Sequence, residues 1–250
     1  MRASLIQKIL DRLFPNPQTP LNYFDPFSLL CAAILSAQTT DGKVNEVTKE
    51  FFFKYLTPSN LSSAPFEEVL NVIRPVGLAP TKARYLIDMS KKLCQDFDGK
   101  VPNNLEDLES LPGVGRKTAS VVLCTVFDYP ALPVDTHILR LAVRWKLSSS
   151  KNPKKVERDL TELFPEKSLG RLHLQLIYFG REYCQARNHS VNVCPVCCWA
   201  SIARIKDIPT SPEHIPQIHL KSPSKASKQI ILYSERLSEL KVENLNENHF

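Results

Sequence analysis

The sequence predicts an all-α fold, and three observations predict it. Glycine is scarce, with 7 residues in 250 against about 7% in an average domain, which disfavours strands joined by tight turns. Apolar residues recur at helical spacing through most of the chain. Helix start and stop signals bracket those stretches.

The elements follow in order. Leu5, Ile6, Ile9, Leu10, Leu13 and Phe14 share one helix face, and Pro15, Pro17 and Pro20 end that helix. Asp25-Pro26 is a helix start, with Asp as cap and Pro in the first turn. Phe27 to Ala37 is apolar almost all round, the mark of a buried helix. Asp41 opens a helix whose Val44, Val47, Phe51 and Tyr55 share a face. Pro65 starts a short helix ending near Arg74, Thr81 to Phe97 is amphipathic, and Asn104 caps Leu105 to Leu111. The run Thr118 to Phe127 is rich in Val, which suits a strand, but its length and lead-in favour helix. Asp135 to Trp145, Pro153 to Phe164 and Leu169 to Tyr183 complete the helical pattern, and no fixed-period repeat is visible.

Composition narrows the setting. Hydrophobic residues make up 43% and charged residues 23%, a balance that supports a folded core. No apolar run approaches the ~18 residues of a membrane span. The opening segment carries Arg2, Lys8, Asp11 and Arg12 among its apolar residues, unlike a secretory signal, so a soluble cytoplasmic protein is expected. After about Arg204 the chain turns rich in Pro and Ser. There six Lys/Arg balance six Asp/Glu, which leaves the net +6 to residues 1–204. Residues 205–250 read as a flexible extension, with Ile230 to Leu240 spaced as a short helix. Cys31, Cys94 and Cys124 fall in apolar helical stretches and read as small buried hydrophobes. Cys184, Cys194, Cys197 and Cys198 crowd together, which suggests a metal before a disulfide in a reducing setting.

The string Leu111-Pro112-Gly113-Val114-Gly115-Arg116-Lys117-Thr118-Ala119 joins two expected helices. Two glycines permit a tight turn with exposed N–H groups, and the next helix adds its positive end. Together they form a site for one anion, such as a DNA phosphate, bound without base specificity. Gly as an ordinary C-cap is the plainer alternative. Twenty residues on stands Val134-Asp135-Thr136-His137, in which Asp135 has the form of an N-cap and His137 reads as structural.

With these motifs the chain resembles the endonuclease III family, a branch of the helix-hairpin-helix DNA glycosylase and apurinic/apyrimidinic (AP) lyase superfamily. Ile34-Leu35-Ser36-Ala37-Gln38-Thr39-Thr40-Asp41 looks like its Gln-bearing loop. Val76-Gly77-Leu78-Ala79-Pro80-Thr81-Lys82-Ala83 looks like its second DNA-facing loop. Tyr178-Phe179-Gly180-Arg181-Glu182-Tyr183-Cys184 leads into its cysteine cluster.

The resemblance implies a two-lobed all-α fold. Residues 22–132 would form a helical bundle with the hairpin, and 1–21 plus 133–204 a second lobe with the cysteine loop. It also implies Lys117 as an amine nucleophile and Asp135 as the carboxylate beside the sugar, facing each other across a DNA-binding cleft. The first helical turn and the adjacent Arg116 disfavour added positive charge at Lys117. Gln38 would fill the gap left by a flipped nucleotide, and Leu78 would wedge the opposite strand. Leu111, Gly113, Gly115 and Arg116 would contact DNA. Lys43, Lys82, Arg84, Arg140 and Arg144 are further candidates for phosphate contacts.

The family's cysteines are spaced C-x6-C-x2-C-x5-C and hold a [4Fe-4S] cluster. Here Cys184 is followed by nine residues, Cys194, two residues, Cys197 and then Cys198 at once; Ala203 stands where the fourth cysteine is due. Cys184, Cys194 and Cys197 are candidate ligands, with Cys198 or His189 as the fourth. Adjacent side chains rarely point at one centre, which counts against Cys198. An irregular cluster, a zinc site using Cys and His, and a loop without metal all remain open.

The activity implied is base-excision repair: a bifunctional N-glycosylase and AP lyase, acting as a monomer on damaged double-stranded DNA and removing oxidised pyrimidines. The rivals are a non-catalytic helix-hairpin-helix DNA-binding protein and a monofunctional glycosylase. Lys117 and Asp135 together argue against the first, and Lys117 against the second.

Overall fold

The computed structural model describes residues 2–201. The expected extension, 205–250, and its helix-like stretch lie outside the described residues. Among the described residues there are helices and no strands, so the all-α expectation holds. The helices are α1 (Arg2–Leu13), α2 (Pro26–Ser36), α3 (Asp41–Lys54), α4 (Pro58–Ser62), α5 (Phe66–Ile73), α6 (Ala79–Asp96), α7 (Leu105–Glu109), α8 (Arg116–Val126), α9 (Thr136–Arg144), α10 (Pro153–Leu163), α11 (Leu169–Glu182) and α12 (Cys197–Ala200), with a 3-10 turn at Glu166–Ser168. The Val-rich run is helical, as α8.

The helix starts are chemical. Asp25 Oδ1 accepts the Ser28 amide at 2.8 Å, and Ser28 Oγ accepts the Asp25 amide at 2.9 Å. This reciprocal capping box, with Pro26 in the first turn, sets the start of α2. Thr40, Thr57, Asn104, Asp135 and Asn152 cap α3, α4, α7, α9 and α10 one-sidedly, each side chain accepting one amide of the first turn. α4 was not anticipated, although Thr57-Pro58 carries the same cap-plus-proline signal.

The chain divides into two units. One, Thr19–Phe127, is built around α2, which packs against α3, α6 and α8; α6 also packs on α4 and α5. Every residue of α2 from Phe27 to Leu35 is buried, as its all-round apolar pattern requires. Phe51 stacks edge-on to Phe52 at 5.7 Å and lies 5.2 Å from Tyr55. Cys31 is buried in this core, but Cys94 is exposed: it falls on the solvent side of α6, so the expectation of a buried thiol fails there.

The other unit begins with the segment through Gln18 and resumes at Asp128. Here α1 packs on α11, and α9 on α10 and α11. Trp145 meets Phe179 edge-on at 5.1 Å. Gln175 is fully buried on α11, and its amide donates to Asp11 Oδ1 and to Phe14 O, so the polar group is satisfied. No helix among the described residues is long and apolar enough to cross a membrane.

Truncating Phe51 to Ala removes the hub of an aromatic group and should lower unfolding free energy by about 3–5 kcal/mol. Asp25→Ala should lower it by about 1 kcal/mol. Denaturant titration of both variants checks this, and equal losses would show that the core is not centred on Phe51.

Candidate functional site

The turn between α7 and α8 is set by Gly113. Its φ is +78°, and a Cβ there would stand 2.7 Å from Tyr85 Cβ on α6. Both the backbone and the packing therefore demand glycine. Leu111 is 2% exposed and anchors the turn in the core, so its side chain is withdrawn from any surface contact. Val114 donates its amide to Leu111 O at 3.1 Å. The exposed residues are Gly115, Arg116 and Lys117. Gly115 is the N-cap of α8 and supplies no side-chain cap. The 11-residue helix thus starts without a side-chain cap, with its partial positive charge directly before an exposed amine.

Two further loops of the same unit lie side by side. Gln38 (φ +53°) and Leu78 (φ +59°) both adopt the left-handed conformation that non-glycine residues seldom use. Both are exposed, and Leu78 remarkably so for an apolar residue, at 56%. Lys82 holds these loops together. It is 3% exposed, and its Nζ donates to Leu35 O at 2.8 Å, Ala37 O at 2.6 Å and Thr39 Oγ1 at 2.9 Å. Thr39 Oγ1 also accepts the Gly77 amide at 3.3 Å. Burial pushes the Lys82 amine down from its ordinary value. Lys82 therefore cannot serve as a phosphate contact: its charge is spent inside the protein. The signal was readable, since Lys82 shares the helical stripe of Ala79, Ala83 and Leu86, all buried.

In the other unit, Asp135 caps α9, with Oδ1 accepting the Ile138 amide at 2.8 Å. His137 is half-buried; its Nδ1 lies 3.1 Å from Arg140 Nη2. Desolvation holds its imidazole toward the neutral form, consistent with a structural residue. Arg140 and Arg144, one turn apart, reach the end of α11. Arg140 donates to Gly180 O at 2.9 Å and to Cys184 O at 3.0 Å. Arg144 donates to Gln185 O at 2.8 Å and contacts Cys184 Sγ at 3.3 Å. Two guanidinium groups thus satisfy the open carbonyls of a helix C-terminus.

That contact leads into the cysteine loop. One ligand atom each from Cys184, His189, Cys194 and Cys197 lies within 4.8 Å of the other three. The three cysteines are buried, and none is in a disulfide. Hydrogen bonds from Cys194 and Cys197, aided by Arg144, hold the Cys184 thiol well below its ordinary value. His189 Nε2 is buried without a hydrogen-bond partner. The four residues could bind a metal, and thiolate donors fit iron–sulfur binding. Of the two candidates for fourth ligand, His189 is gathered in and Cys198 is not.

Comparison with known proteins places this geometry. The model of the HhH-GPD superfamily of base excision DNA repair proteins matches residues 31–166. The chain is 40% identical to endonuclease III of Rickettsia conorii over 199 residues, covering 78% of this chain and 95% of that protein. It is 40% identical to endonuclease III of Escherichia coli over 180 residues, covering 72% and 85%. Among solved structures, a non-covalent endonuclease III–DNA complex matches with TM-score 0.74 and 37% identity, over 79% of this chain and 94% of that one. A trapped endonuclease III–DNA covalent intermediate matches with TM-score 0.74 and 36% identity, over 78% and 93%.

Replacing Lys82 with Met leaves its carbonyl acceptors without a donor. Stability should fall by about 2–3 kcal/mol, and the Gly77 amide should exchange with solvent faster. Hydrogen exchange with unchanged protection at Gly77 would show that the two loops hold without the ammonium.

Proposed function

The chain belongs to the HhH-GPD superfamily of base excision DNA repair proteins, and on that premise we propose how its residues perform the work of a bifunctional DNA glycosylase and AP lyase. The observation that carries the reading is the exposed amine of Lys117, in the first turn of α8 immediately behind the Gly113–Gly115 turn. A backbone phosphate docked at the positive N-terminal end of that helix brings the adjoining nucleotide to the amine.

The neutral Lys117 Nζ attacks the anomeric carbon of the damaged nucleotide. The N-glycosidic bond breaks and the base departs with the bonding pair, taking up a proton. Loss of a proton from nitrogen and opening of the sugar leave an imine between Lys117 and the anomeric carbon. The imine acidifies the neighbouring sugar proton. Its removal expels the 3′ phosphate by β-elimination and cuts the strand on that side, and water then releases the enzyme. Asp135 stabilises the positive charge that grows on the sugar as the base leaves, and accepts a proton from the amine or from water. Its cap uses Oδ1, so the same carboxylate serves both roles.

Gln38 and Leu78 manage the duplex. A base must leave the stack before its sugar can be attacked. The Gln38 amide, which both donates and accepts, pairs with the orphaned base, and the exposed Leu78 props the unstacked step. The two strained φ values support this reading, because strain persists where function requires a side chain to be presented. Gly113, Gly115, Arg116 and the main chain at Leu111 form the phosphate contact. Oxidised pyrimidines are the substrate class, acted on by a monomer in a reducing, cytoplasmic setting. A [4Fe-4S] cluster is what the family resemblance implies at the cysteine loop; its donor atoms support it and their spacing opposes it, and no step above passes through a metal.

Borohydride reduction during reaction with a duplex carrying one oxidised thymine should trap a covalent protein–DNA band. Lys117→Gln should abolish both band and strand cutting while damaged-DNA binding persists. Cutting at the wild-type rate would place the nucleophile elsewhere, and base release without a band would mean a hydrolytic enzyme. Asp135→Asn separates two roles: Asn caps helices as well as Asp, so stability should hold while trapping slows by roughly 10²–10³.

A further inference from the structure

The ligand spacing in the cysteine loop distinguishes two kinds of metal centre. Cys184 Sγ and Cys197 Sγ are 3.6 Å apart, and the four ligand atoms of Cys184, His189, Cys194 and Cys197 all lie within 4.8 Å of one another. A tetrahedral ion with metal–sulfur bonds of about 2.3 Å sets its sulfurs about 3.8 Å apart. A [4Fe-4S] cubane places eight atoms between its ligands. Each thiolate then binds a different iron, and the ligand sulfurs stand roughly 6 Å apart. Two sulfurs in van der Waals contact leave no room for that core. The donors fit one ion, and their spacing does not fit the cubane.

The fourth donor points the same way. His189 Nε2 is buried and without a hydrogen-bond partner, a state that is unfavourable for a polar nitrogen unless its lone pair is used. The residues that lengthen the loop between Cys184 and Cys194 are the ones that deliver it. Asn188, in the left-handed conformation at φ +57°, turns the chain just before it. Cys194 and Cys197 form a C-x2-C knuckle in which the Cys197 amide approaches Cys194 Sγ at 3.5 Å, an amide aimed at a thiolate. Cys198 stands outside the group and is only half-buried.

We propose that Cys184, His189, Cys194 and Cys197 form a closed tetrahedral site for a single divalent ion of the zinc class, in place of an iron–sulfur cluster. Three soft thiolates and one imidazole are a zinc donor set, and four protein ligands leave no open position for catalysis. The ion is structural: it ties Cys184, two residues past the end of α11, to Cys197, the first residue of α12. Its presence is independent of the assignment of Lys117, because it is read as metal content and not as activity.

The test uses the full chain, produced with iron, sulfur and zinc all supplied and purified without oxygen. Elemental analysis should find one zinc per chain, no acid-labile sulfide and no visible charge-transfer absorption. Exchange into cobalt(II) should give the ligand-field bands of a tetrahedral thiolate site. Four irons with matching sulfide, or no bound metal, would overturn the proposal. Cys198→Ser should keep the ion. His189→Ala should lose it to a chelator about tenfold faster or more, and His189→Cys should restore retention. An unchanged cobalt spectrum in His189→Ala would remove His189 from the site and defeat the proposal.

Discussion

The loops that carry Gln38 and Leu78 keep their form because one ammonium ion is buried beneath them. The chain leaving α2 must turn sharply, and it does so through a left-handed Gln38. That turn points the carbonyls of Leu35 and Ala37 at the same small volume, where the open end of a helix already concentrates negative potential. Without a donor the arrangement would collapse or take in water. Lys82 supplies three N–H bonds from one atom, and its third partner, Thr39, extends the link to Gly77. Desolvation opposes the charge, but carbonyl dipoles fixed around it compensate in a way that mobile solvent would not.

Helix ends in each unit follow the same rule. Where an end is to be silent, a side chain closes it: Asn104 at α7, Asp135 at α9, and the Arg140–Arg144 pair at the end of α11. The end to which the proposed function assigns the phosphate is left without a side-chain cap. α8 begins at a glycine that offers no cap, and the residues after it are exposed. The buried Leu111 and the contact of Gly113 with Tyr85 hold this uncapped end rigidly in place.

Most of this was legible in the sequence where the signal is local. The caps at Asp25, Asn104 and Asp135, the proline stops, the all-round apolar α2 and the two-glycine turn each express a rule that involves only neighbouring residues. The assignment of Lys82 to phosphate failed, and the internal roles of Arg140 and Arg144 were missed, for the opposite reason. Composition marks them as basic, but only packing shows that their charges face carbonyls of distant loops. Lys82 could have been found from its place in the buried stripe of α6, whereas the partners of the two arginines lie about 40 residues away. The fourth metal ligand was open because spacing alone could not choose between Cys198 and His189. α12 was missed because a single turn has no period to read, and its residues are held by the sulfur group.

The clamp at Lys82 has a consequence for ionic strength. Its partners are carbonyls and a hydroxyl, not carboxylates, and it lies almost wholly out of reach of dissolved ions. Counterions screen exposed charges within a Debye length of about 8 Å in physiological salt, and buried interactions much less. The shape of the two loops is therefore nearly indifferent to salt, while attraction between the exposed cations around Lys117 and a polyanion weakens steeply as salt rises. Loop shape and electrostatic attraction thus respond to different variables: a saltier medium weakens attraction to a polyanion, yet Gln38 and Leu78 are presented in the same preformed way.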